Sequence, residues 1–287
     1  MKKILLLGQD GMLGGELAIR LENKGYEVSY TTIQTLDICD KEAVINKAKE
    51  VNPDFVINCA AYTNVDGCET NFELANNVNG VALANIAEAA NEVDAVLIQI
   101  STDYVFDGKL NVNQIYTEDM QTGPVSAYGR TKLLGEQNAA KANKYYILRT
   151  AWMYGLGGKN FVKTMLNLSK TKDEISVVCD QHGSPTSTTS LCEIIEQIIE
   201  KEPEYGIYHS TNEGFTVWSD FTKKIFELAN ISTKVNPITS KEYKEMYPNS
   251  SDRPTNSMLS KEKLHSVGIY PKKWEDALAD YLKEELK

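Results

Sequence analysis

The N-terminal segment joins a short apolar run to a turn with three evenly spaced glycines. Lys3–Leu7 predicts a buried parallel strand, and Gly8, Gly11 and Gly14 follow it in a G-x-x-G-x-x-G arrangement. An amphipathic stretch through Leu21 predicts a helix after the turn. Glycines at such a point let the backbone approach a pyrophosphate that sits on the helix N-terminus. The segment therefore predicts a nucleotide-binding βαβ unit, with a plain tight turn as the alternative.

Apolar runs and amphipathic stretches alternate along the rest of the chain. The further predicted strands are Tyr26–Tyr30, Asp54–Asn58, Ala95–Ser101, Tyr145–Thr150, Ser176–Cys179 and Gly206–Ser210. The further predicted helices are Lys41–Glu50, Phe72–Asn91, one through Tyr128 and Glu136, Phe161–Lys170, Leu191–Glu200, Ser219–Ala229 and Trp274–Glu284. This order predicts an α/β fold with a doubly wound parallel (Rossmann) sheet.

The later elements are less regular, which indicates a second structural unit. We expect a dinucleotide-binding domain over residues 1–151 and a smaller, interleaved C-terminal substrate lobe over residues 152–287. Segments at about residues 187–210 are expected to return to the Rossmann domain.

Composition and charge exclude several classes of function. The chain has 287 residues and a net charge of −10, which argues against a nucleic-acid-binding protein. No apolar run approaches the roughly 20 residues of a membrane span, and the N-terminal run is too short for a secretory signal. Five cysteines without a Cys-x-x-Cys pair, and only three histidines, argue against a metal site. We expect a cytoplasmic protein with reduced thiols that binds no membrane, nucleic acid or metal.

Tyr128 and Lys132 are four residues apart in a predicted helix, so their side chains lie on one face, one turn apart. A tyrosine phenol titrates near about pH 10, and an ammonium beside it lowers that pKa. Such a phenol can give a proton to a developing alkoxide. The alternative is an ordinary solvated helix face.

Two strand ends bear on substrate and cofactor. Thr102 follows a predicted strand, where ligands bind in an open parallel sheet, and its hydroxyl can donate to a substrate carbonyl. A polar residue that caps a turn is the alternative.

The end of the second strand, Tyr30–Thr32, carries neither the acidic residue that favours NAD nor the arginine that favours NADP. The choice between the two cofactors is open.

The glycine turn, the strand-end Ser101-Thr102 and the Tyr128-x-x-x-Lys132 pair together resemble the extended short-chain dehydrogenase/reductase superfamily. A closer resemblance is to the dTDP-4-dehydrorhamnose reductase family. The stretches that carry it, in family order, are Ala60–Thr63 with Val65-Asp66, Ser101–Gly108, Tyr128–Glu136, Arg149–Gly155, Asn160–Val162, Asp180–Thr186, Gly206–His209 and Arg253-Pro254 with Asn256-Ser257. The resemblance implies reduction of the C4 ketone of dTDP-4-dehydro-L-rhamnose to dTDP-L-rhamnose with NADPH or NADH.

The resemblance also implies roles for single residues. Tyr128 is the proton donor to the sugar O4, Lys132 lowers its pKa and bonds the nicotinamide ribose, and Thr102 bonds the reacting oxygen. The implied cofactor-binding residues are Gly8, Asp10, Gly11, Met12, Leu13, Asp37, Ile38, Ala60, Ala61 and Tyr62, together with Tyr128 and Lys132. The implied substrate-binding residues are Thr102, Asp103, Trp152, Asn160 and Arg253, the last because a guanidinium can fork onto a phosphate.

Other functions remain open from the sequence. Dehydratases of this superfamily carry Thr-Asp-Glu at the strand end, whereas this chain has Thr102-Asp103-Tyr104 and lacks the second acid. That difference favours simple reduction. A reductase of another nucleotide 4-keto-sugar and a non-enzymatic regulatory subunit of the same fold are the alternatives. A homodimer is also left open.

Overall fold

The computed structural model describes all residues from Met1 to Lys287. Its strands are β1 (Lys3–Leu7), β2 (Glu27–Thr31), β3 (Phe55–Asn58), β4 (Val96–Thr102), β5 (Tyr145–Thr150), β6 (Met153–Tyr154), β7 (Glu174–Val178), β8 (His182–Gly183), β9 (Thr186–Ser187), β10 (Gly206–His209), β11 (Thr216–Val217) and β12 (Lys234–Ile238). Its α-helices are α1 (Met12–Asn23), α2 (Lys41–Val51), α3 (Val65–Thr70), α4 (Phe72–Asn76), α5 (Ala82–Glu92), α6 (Ala127–Ala139), α7 (Phe161–Ser169), α8 (Thr188–Lys201), α9 (Trp218–Leu228), α10 (Ser240–Met246), α11 (Glu262–Ser266) and α12 (Trp274–Glu285). A π-helical turn, Asn77–Val81, joins α4 to α5, and a 3-10 turn, Asp103–Val105, follows β4.

The central sheet has six parallel strands in the order β10-β5-β4-β3-β1-β2. The chain winds outward in both directions from β1, which pairs with β2 on one side and β3 on the other. Ligands of such sheets bind beyond the carboxyl ends of the strands, at the point where the winding direction changes. The predicted doubly wound parallel sheet is confirmed.

Both faces of the sheet are covered, which explains the continuous apolar run of β1. Successive side chains of a strand point to opposite faces. Ile4 and Leu6 pack in the core beneath α1 and α8, whereas Leu5 and Leu7 pack in the core beneath α2 and α5. A third apolar core, which includes Phe221, joins α7, α9 and α12 in the C-terminal part of the chain.

The C-terminal half returns to the central sheet more than once. Gly206 of β10 pairs with Tyr146 of β5, and α8 packs against α1. Leu264 of α11 is fully buried in the same core as β1. The boundary between residues 151 and 152 stays a prediction.

One predicted helix differs in its middle. The expected regular helix over Phe72–Asn91 is interrupted by the π-helical turn, which turns the buried Asn79 toward the polypeptide after β3. The short helices α3, α10 and α11, the strand β12 and the two-residue strands β6, β8, β9 and β11 were not expected from the sequence. None of the helices combines the length and the apolar composition that a membrane crossing requires.

Candidate active site

The glycine turn after β1 has no room for side chains. Gly8 has φ +80°, a left-handed conformation that favours glycine, and a Cβ there would lie 2.6 Å from the Ala60 nitrogen. A Cβ on Gly14 would collide with the Gly8 carbonyl group. The Gly8 and Gln9 nitrogens donate to the Thr31 carbonyl at 3.0 and 2.9 Å, which fixes the turn to β2. Because the turn carries no side chains at Gly8 and Gly14, its backbone can approach a ligand closely at the carboxyl edge of the sheet; we call this turn the cradle.

The N-terminus of α1 offers N–H groups to this cradle. Its N-cap residue, Gly11, provides no side-chain cap, and the first turn contains no acidic residue. Asp10 is exposed, and its carboxylate makes no hydrogen bond to the turn. Free N–H groups at a helix N-terminus favour a phosphate, so the turn fits the pyrophosphate of a dinucleotide cofactor. Met12 is half-buried, whereas the Leu13 side chain lies in the core, so only the backbone of Leu13 can face a ligand.

The segment Ala60–Tyr62 follows β3 and is held by two asparagines. Asn58 Oδ1 accepts from the Ala60 nitrogen at 3.1 Å. Asn79 accepts from the Tyr62 nitrogen at 2.8 Å and donates to the Tyr62 carbonyl at 2.9 Å. Asn79 also donates to Thr131 Oγ1 of α6 at 3.2 Å. Sequence reasoning missed Asn79, because only the π-helical turn brings it inward.

The predicted adenine-side residues lie in the loop after β2. Asp37 is exposed, and its carboxylate accepts from the Cys39 nitrogen at 2.9 Å. The Ile38 side chain is buried in the core beneath α2 and α5. These contacts give both residues a role in shaping the loop, and their contact with a cofactor stays a prediction.

The predicted catalytic residues lie on β4 and α6. Helix α6 begins at Ala127, after Ser126, whose Oγ accepts from the Gly129 nitrogen at 3.1 Å. Tyr128 is in the first turn, and Lys132 lies one turn later. Lys132 is 4% exposed, and its Nζ donates to the Ile100 carbonyl of β4 at 2.8 Å. Thr102 ends that same strand, so the three side chains come together at the carboxyl edge of the sheet.

Burial sets the protonation of these groups. It raises the pKa of Tyr128 above its ordinary value, with the charge of Asp103 as the next cause, while the nearby Thr102 hydroxyl opposes the rise. Burial lowers the pKa of Lys132 to about 8. Lys132 Nζ donates to the Ile100 carbonyl, and burial has the largest influence on the Tyr128 phenol, so the expected lowering of the Tyr128 pKa by Lys132 stays a prediction.

Asp103 is a buried carboxyl group at the end of β4. It is 1% exposed, Thr102 Oγ1 donates to its Oδ1 at 2.9 Å, and its Oδ2 has no partner. Burial raises the pKa of Asp103 to about 6, although the nearby Ser257 and Thr102 hydroxyl groups oppose the rise. The Ser257 hydroxyl donates to the His182 carbonyl at 3.2 Å, so it leaves Asp103 Oδ2 without a partner. A buried oxygen without a partner is an acceptor that a ligand hydroxyl can use.

Trp152 lies just beyond β5 in a strained conformation. Its φ is +47°, which is uncommon for a non-glycine residue and is often found at functional sites. Its ring stacks on Trp218 with centroids 3.6 Å apart and an interplanar angle of 10°. The stack joins the end of the central sheet to the first turn of α9.

Asn160 has a structural role that the sequence did not predict. It is the N-cap of α7, where its Oδ1 accepts from the Lys163 nitrogen at 3.0 Å. Its Nδ2 donates to the Gly155 carbonyl at 2.8 Å. The amide nitrogen has a second N–H group, which lies 3.8 Å from Met12 Sδ, so the predicted diphosphate contact stays a prediction.

Arg253 lines a cavity of about 840 Å³ in the C-terminal part of the chain. Its Nε is buried without a partner, and its Nη2 lies 3.7 Å from Asp66 Oδ1. The cavity is within the size range of small-molecule sites. The aromatic residues in its wall are Phe161, Trp218, Tyr243 and Tyr247, none of which was predicted as a site residue.

A buried ion pair between α6 and β5 supports the helix that carries two of the predicted catalytic residues. Glu136 of α6 accepts from Arg149 Nε at 2.9 Å and from Arg149 Nη2 at 2.8 Å. Ser101 Oγ donates to the same carboxylate at 2.5 Å. These bonds join α6 to β4 and β5, so they fix the helix that carries Tyr128 and Lys132.

Comparisons with known proteins agree with this geometry. The dTDP-4-dehydrorhamnose reductase of Mycolicibacterium smegmatis is 41% identical over 284 residues, covering 97% of this chain and 84% of that protein. The spore coat polysaccharide biosynthesis protein SpsK of Bacillus subtilis is 40% identical, covering 99% of this chain and 98% of that protein. A dTDP-4-dehydrorhamnose reductase structure from Clostridium acetobutylicum has a TM-score of 0.93 at 44% identity, covering 99% of this chain and 100% of that one.

The structure of the Bacillus anthracis dTDP-4-dehydrorhamnose reductase in complex with NADP has a TM-score of 0.92 at 37% identity and covers 99% of both chains. These similarities confirm the predicted family, the Rossmann fold and the oxidoreductase class. The family model described as the RmlD substrate binding domain matches residues 1–287, and the chain therefore belongs to this family, that of the dTDP-4-dehydrorhamnose reductases.

Proposed function

We propose that this chain reduces the C4 ketone of dTDP-4-dehydro-L-rhamnose to dTDP-L-rhamnose with NADPH or NADH. The observation that carries the proposal is the meeting of Thr102, Tyr128 and Lys132 at the carboxyl edge of the sheet, beside an open glycine turn. This arrangement supplies a hydrogen-bond donor, an acid and a cation next to a pyrophosphate cradle. A dehydratase is disfavoured, because Tyr104 stands where that chemistry requires a second acid.

The cofactor would be held by the glycine turn and by the wall that faces it. The backbone of Gly8 and Gly11 and the first N–H groups of α1 would bind the pyrophosphate. Ala60–Tyr62 would line the cofactor, and Lys132 would bond the nicotinamide ribose. The reduced nicotinamide, when bound, supplies the hydride. No carboxylate stands at the end of β2 to repel a 2′-phosphate, so both cofactors are acceptable.

Tyr128 would be the acid of the reaction. A phenol with a raised pKa stays protonated at neutral pH and gives up its proton when charge develops on the ketone oxygen. Thr102 would donate a hydrogen bond to the same oxygen. The Lys132 ammonium would then stabilise the phenolate that remains.

The nucleotide part of the substrate would occupy the cavity beside Arg253. The unpartnered Arg253 Nε and its neighbouring guanidinium nitrogens suit a diphosphate. Asp103 and Trp152 would contact the sugar. In this proposal residues 1–151 bind the cofactor and residues 152–287 mainly bind the dTDP-sugar. The expected cytoplasmic location and the homodimer stay predictions.

A spectrophotometric assay tests the proposal. The protein would be mixed with dTDP-4-dehydro-L-rhamnose, generated in situ by the upstream enzymes, and oxidation of NADPH and of NADH would be followed separately. We expect oxidation matched by dTDP-rhamnose on chromatography, and the two rates give the cofactor preference. Folded protein that binds a cofactor but oxidises neither one would contradict the proposal and favour another 4-keto-sugar or a regulatory role.

A further inference from the structure

The Thr102 hydroxyl and the Asp103 carboxyl are neighbours at the end of β4. Thr102 Oγ1 lies 2.9 Å from Asp103 Oδ1, and the Tyr104 nitrogen donates to Thr102 Oγ1 at 3.2 Å. A threonine hydroxyl has only one proton to donate. While that proton is directed at an Asp103 carboxylate, it is not available to a substrate oxygen.

Building on the proposed function, we propose that Asp103 is a positioning residue whose protonation decides whether Thr102 donates to the ketone oxygen. A neutral Asp103 donates its own proton to Thr102 Oγ1, so that the Thr102 proton turns to the ketone. An ionised Asp103 holds the Thr102 proton and withholds this hydrogen bond. Neither side chain transfers a proton, and the proton that completes the alcohol comes from Tyr128.

The surroundings of Asp103 allow both forms. The side chain is almost fully buried, its Oδ2 has no partner, and it forms no ion pair. The titratable groups facing Asp103 are Tyr104 and Tyr128, and the charge of Asp103 raises the pKa of both. The charge of Arg253 lowers the pKa of Tyr104. Burial raises the pKa of Asp103 to about 6, so the neutral and ionised forms exchange within the range in which an enzyme can be assayed.

A direct contact between Asp103 and the sugar predicts a different pattern. A carboxylate that only binds a sugar hydroxyl contributes equally whether or not Thr102 is present. A carboxyl group that acts through the Thr102 hydroxyl contributes nothing once that hydroxyl is removed. A double-mutant cycle across the two residues separates these possibilities.

The single-turnover rate of sugar reduction would be measured from about pH 5 to about pH 9 in the wild type, Asp103→Asn, Thr102→Val and the double variant. We expect the wild-type rate to fall about tenfold or more as pH rises through about 6, because one donor to the oxyanion is lost. Asp103→Asn should keep the faster rate as pH rises through about 6, because its amide donates to Thr102. Above about pH 8 the loss of the Lys132 ammonium slows all four proteins alike. Thr102→Val should be slow throughout, and adding Asp103→Asn should leave its rate at saturating sugar unchanged.

Asp107→Asn is the matched control. Asp107 lies in the same segment, and a hydrogen bond from the Lys109 nitrogen is the main cause that lowers its pKa, so it stays ionised over this range. Its variant should keep the wild-type pH profile. The proposal is overturned if Asp103→Asn retains the fall in rate near pH 6. It is also overturned if Asp103→Asn slows the reaction by the same factor in the wild type and in the Thr102→Val background.

Carbon-13 NMR of aspartate-labelled protein tests the ionisation without turnover. We expect one carboxyl resonance, absent from Asp103→Asn, to titrate near pH 6 and to titrate at higher pH in Thr102→Val, where a stabilising hydrogen bond is lost. Titration near the ordinary value of about 4 would contradict the proposal. A wild type that is inactive on the sugar would instead count against the proposed function, and the NMR result would still stand.

Discussion

Single residues of this site are governed by desolvation more than by their neighbours' charges. Tyr128 and Lys132 share a helix face as their spacing predicts, but burial shifts the pKa of both toward the neutral form. Spacing can predict which side chains meet. It cannot predict how much water each one loses, because that depends on residues far away in the chain.

Tyr128→Phe tests the proposed acid. The substitution removes one hydroxyl, so we expect cofactor affinity to stay near the wild-type value and kcat to fall by about 10²-fold or more. Steady-state kinetics together with cofactor titration measures both quantities. Near wild-type turnover in this variant would rule out the proposed role.

Lys132→Met tests the proposed ribose contact with little change in volume. We expect a loss of cofactor affinity of about tenfold or more, the scale of a hydrogen bond to a charged group. Because the pKa of Lys132 is lowered to about 8, the ammonium is present below that pH and lost above it. Wild-type cofactor affinity should therefore fall as pH rises through about 8.

The methionine variant should show no such fall, because it has no ammonium to lose. Titration of cofactor binding by tryptophan fluorescence, at several pH values, measures both proteins. An unchanged affinity in Lys132→Met, or a similar pH dependence in both proteins, would argue against the contact.

At the scale of elements, the glycine turn and the π-helical turn shape the cofactor site by backbone geometry. Gly8 and Gly14 are required because backbone atoms of the same turn and of the segment after β3 lie where their Cβ atoms would be. The glycine spacing indicated this requirement. The π-helical turn lies in Asn77–Val81, a stretch of weak helix formers that the apolar periodicity on either side led us to include in one regular helix.

Gly14→Ala and Gly15→Ala form a matched pair in the first turn of α1. A Cβ on Gly14 would collide with the Gly8 carbonyl, whereas a Cβ on Gly15 would lie 3.3 Å from the Gln9 carbonyl oxygen, which a small shift relieves. We expect Gly14→Ala to lower the free energy of unfolding by about 1–3 kcal/mol and to weaken cofactor binding at least about tenfold. Gly15→Ala should stay within about 1 kcal/mol of the wild type, since alanine favours a helix.

Urea unfolding and cofactor titration would compare the two variants. Equal effects of the two substitutions would show that the close approach at Gly14 does not matter.

At the scale of the whole molecule, the substrate site depends on how the C-terminal half is placed against the sheet. The Trp152 and Trp218 rings come from the end of β5 and the start of α9, which are far apart in the sequence. Trp218 also lines the cavity beside Arg253. The stack therefore couples the catalytic edge of the sheet to the proposed nucleotide site.

Trp218→Ala tests this coupling. We expect KM for the dTDP-sugar to rise about tenfold, the scale of a lost aromatic contact, while cofactor affinity stays unchanged. Tyr270→Ala, at a side chain that is 70% exposed, is the control and should match the wild type. If sugar KM and cofactor Kd rise together by the same factor in Trp218→Ala, the substitution acts on the whole fold rather than on the substrate site.

The sequence by itself determined the local and periodic features. Apolar runs, glycine punctuation and the four-residue spacing of Tyr128 and Lys132 follow from the chain alone, and β1 and β5 begin and end where they were expected. These features depend on backbone geometry and on which faces are buried, both of which a short window of sequence records.

Only the tertiary structure decided which polar side chains remain available to contact a ligand. Asn160 has the right residue type for a substrate contact, yet it caps α7, whereas Asn79 was overlooked and holds the Tyr62 backbone. Asp103 follows Thr102 in the sequence, but its burial arises only when β4, α6 and the segment around Ser257 come together. Desolvation and hydrogen-bond pairing depend on the contacts of distant segments, and no local pattern encodes them.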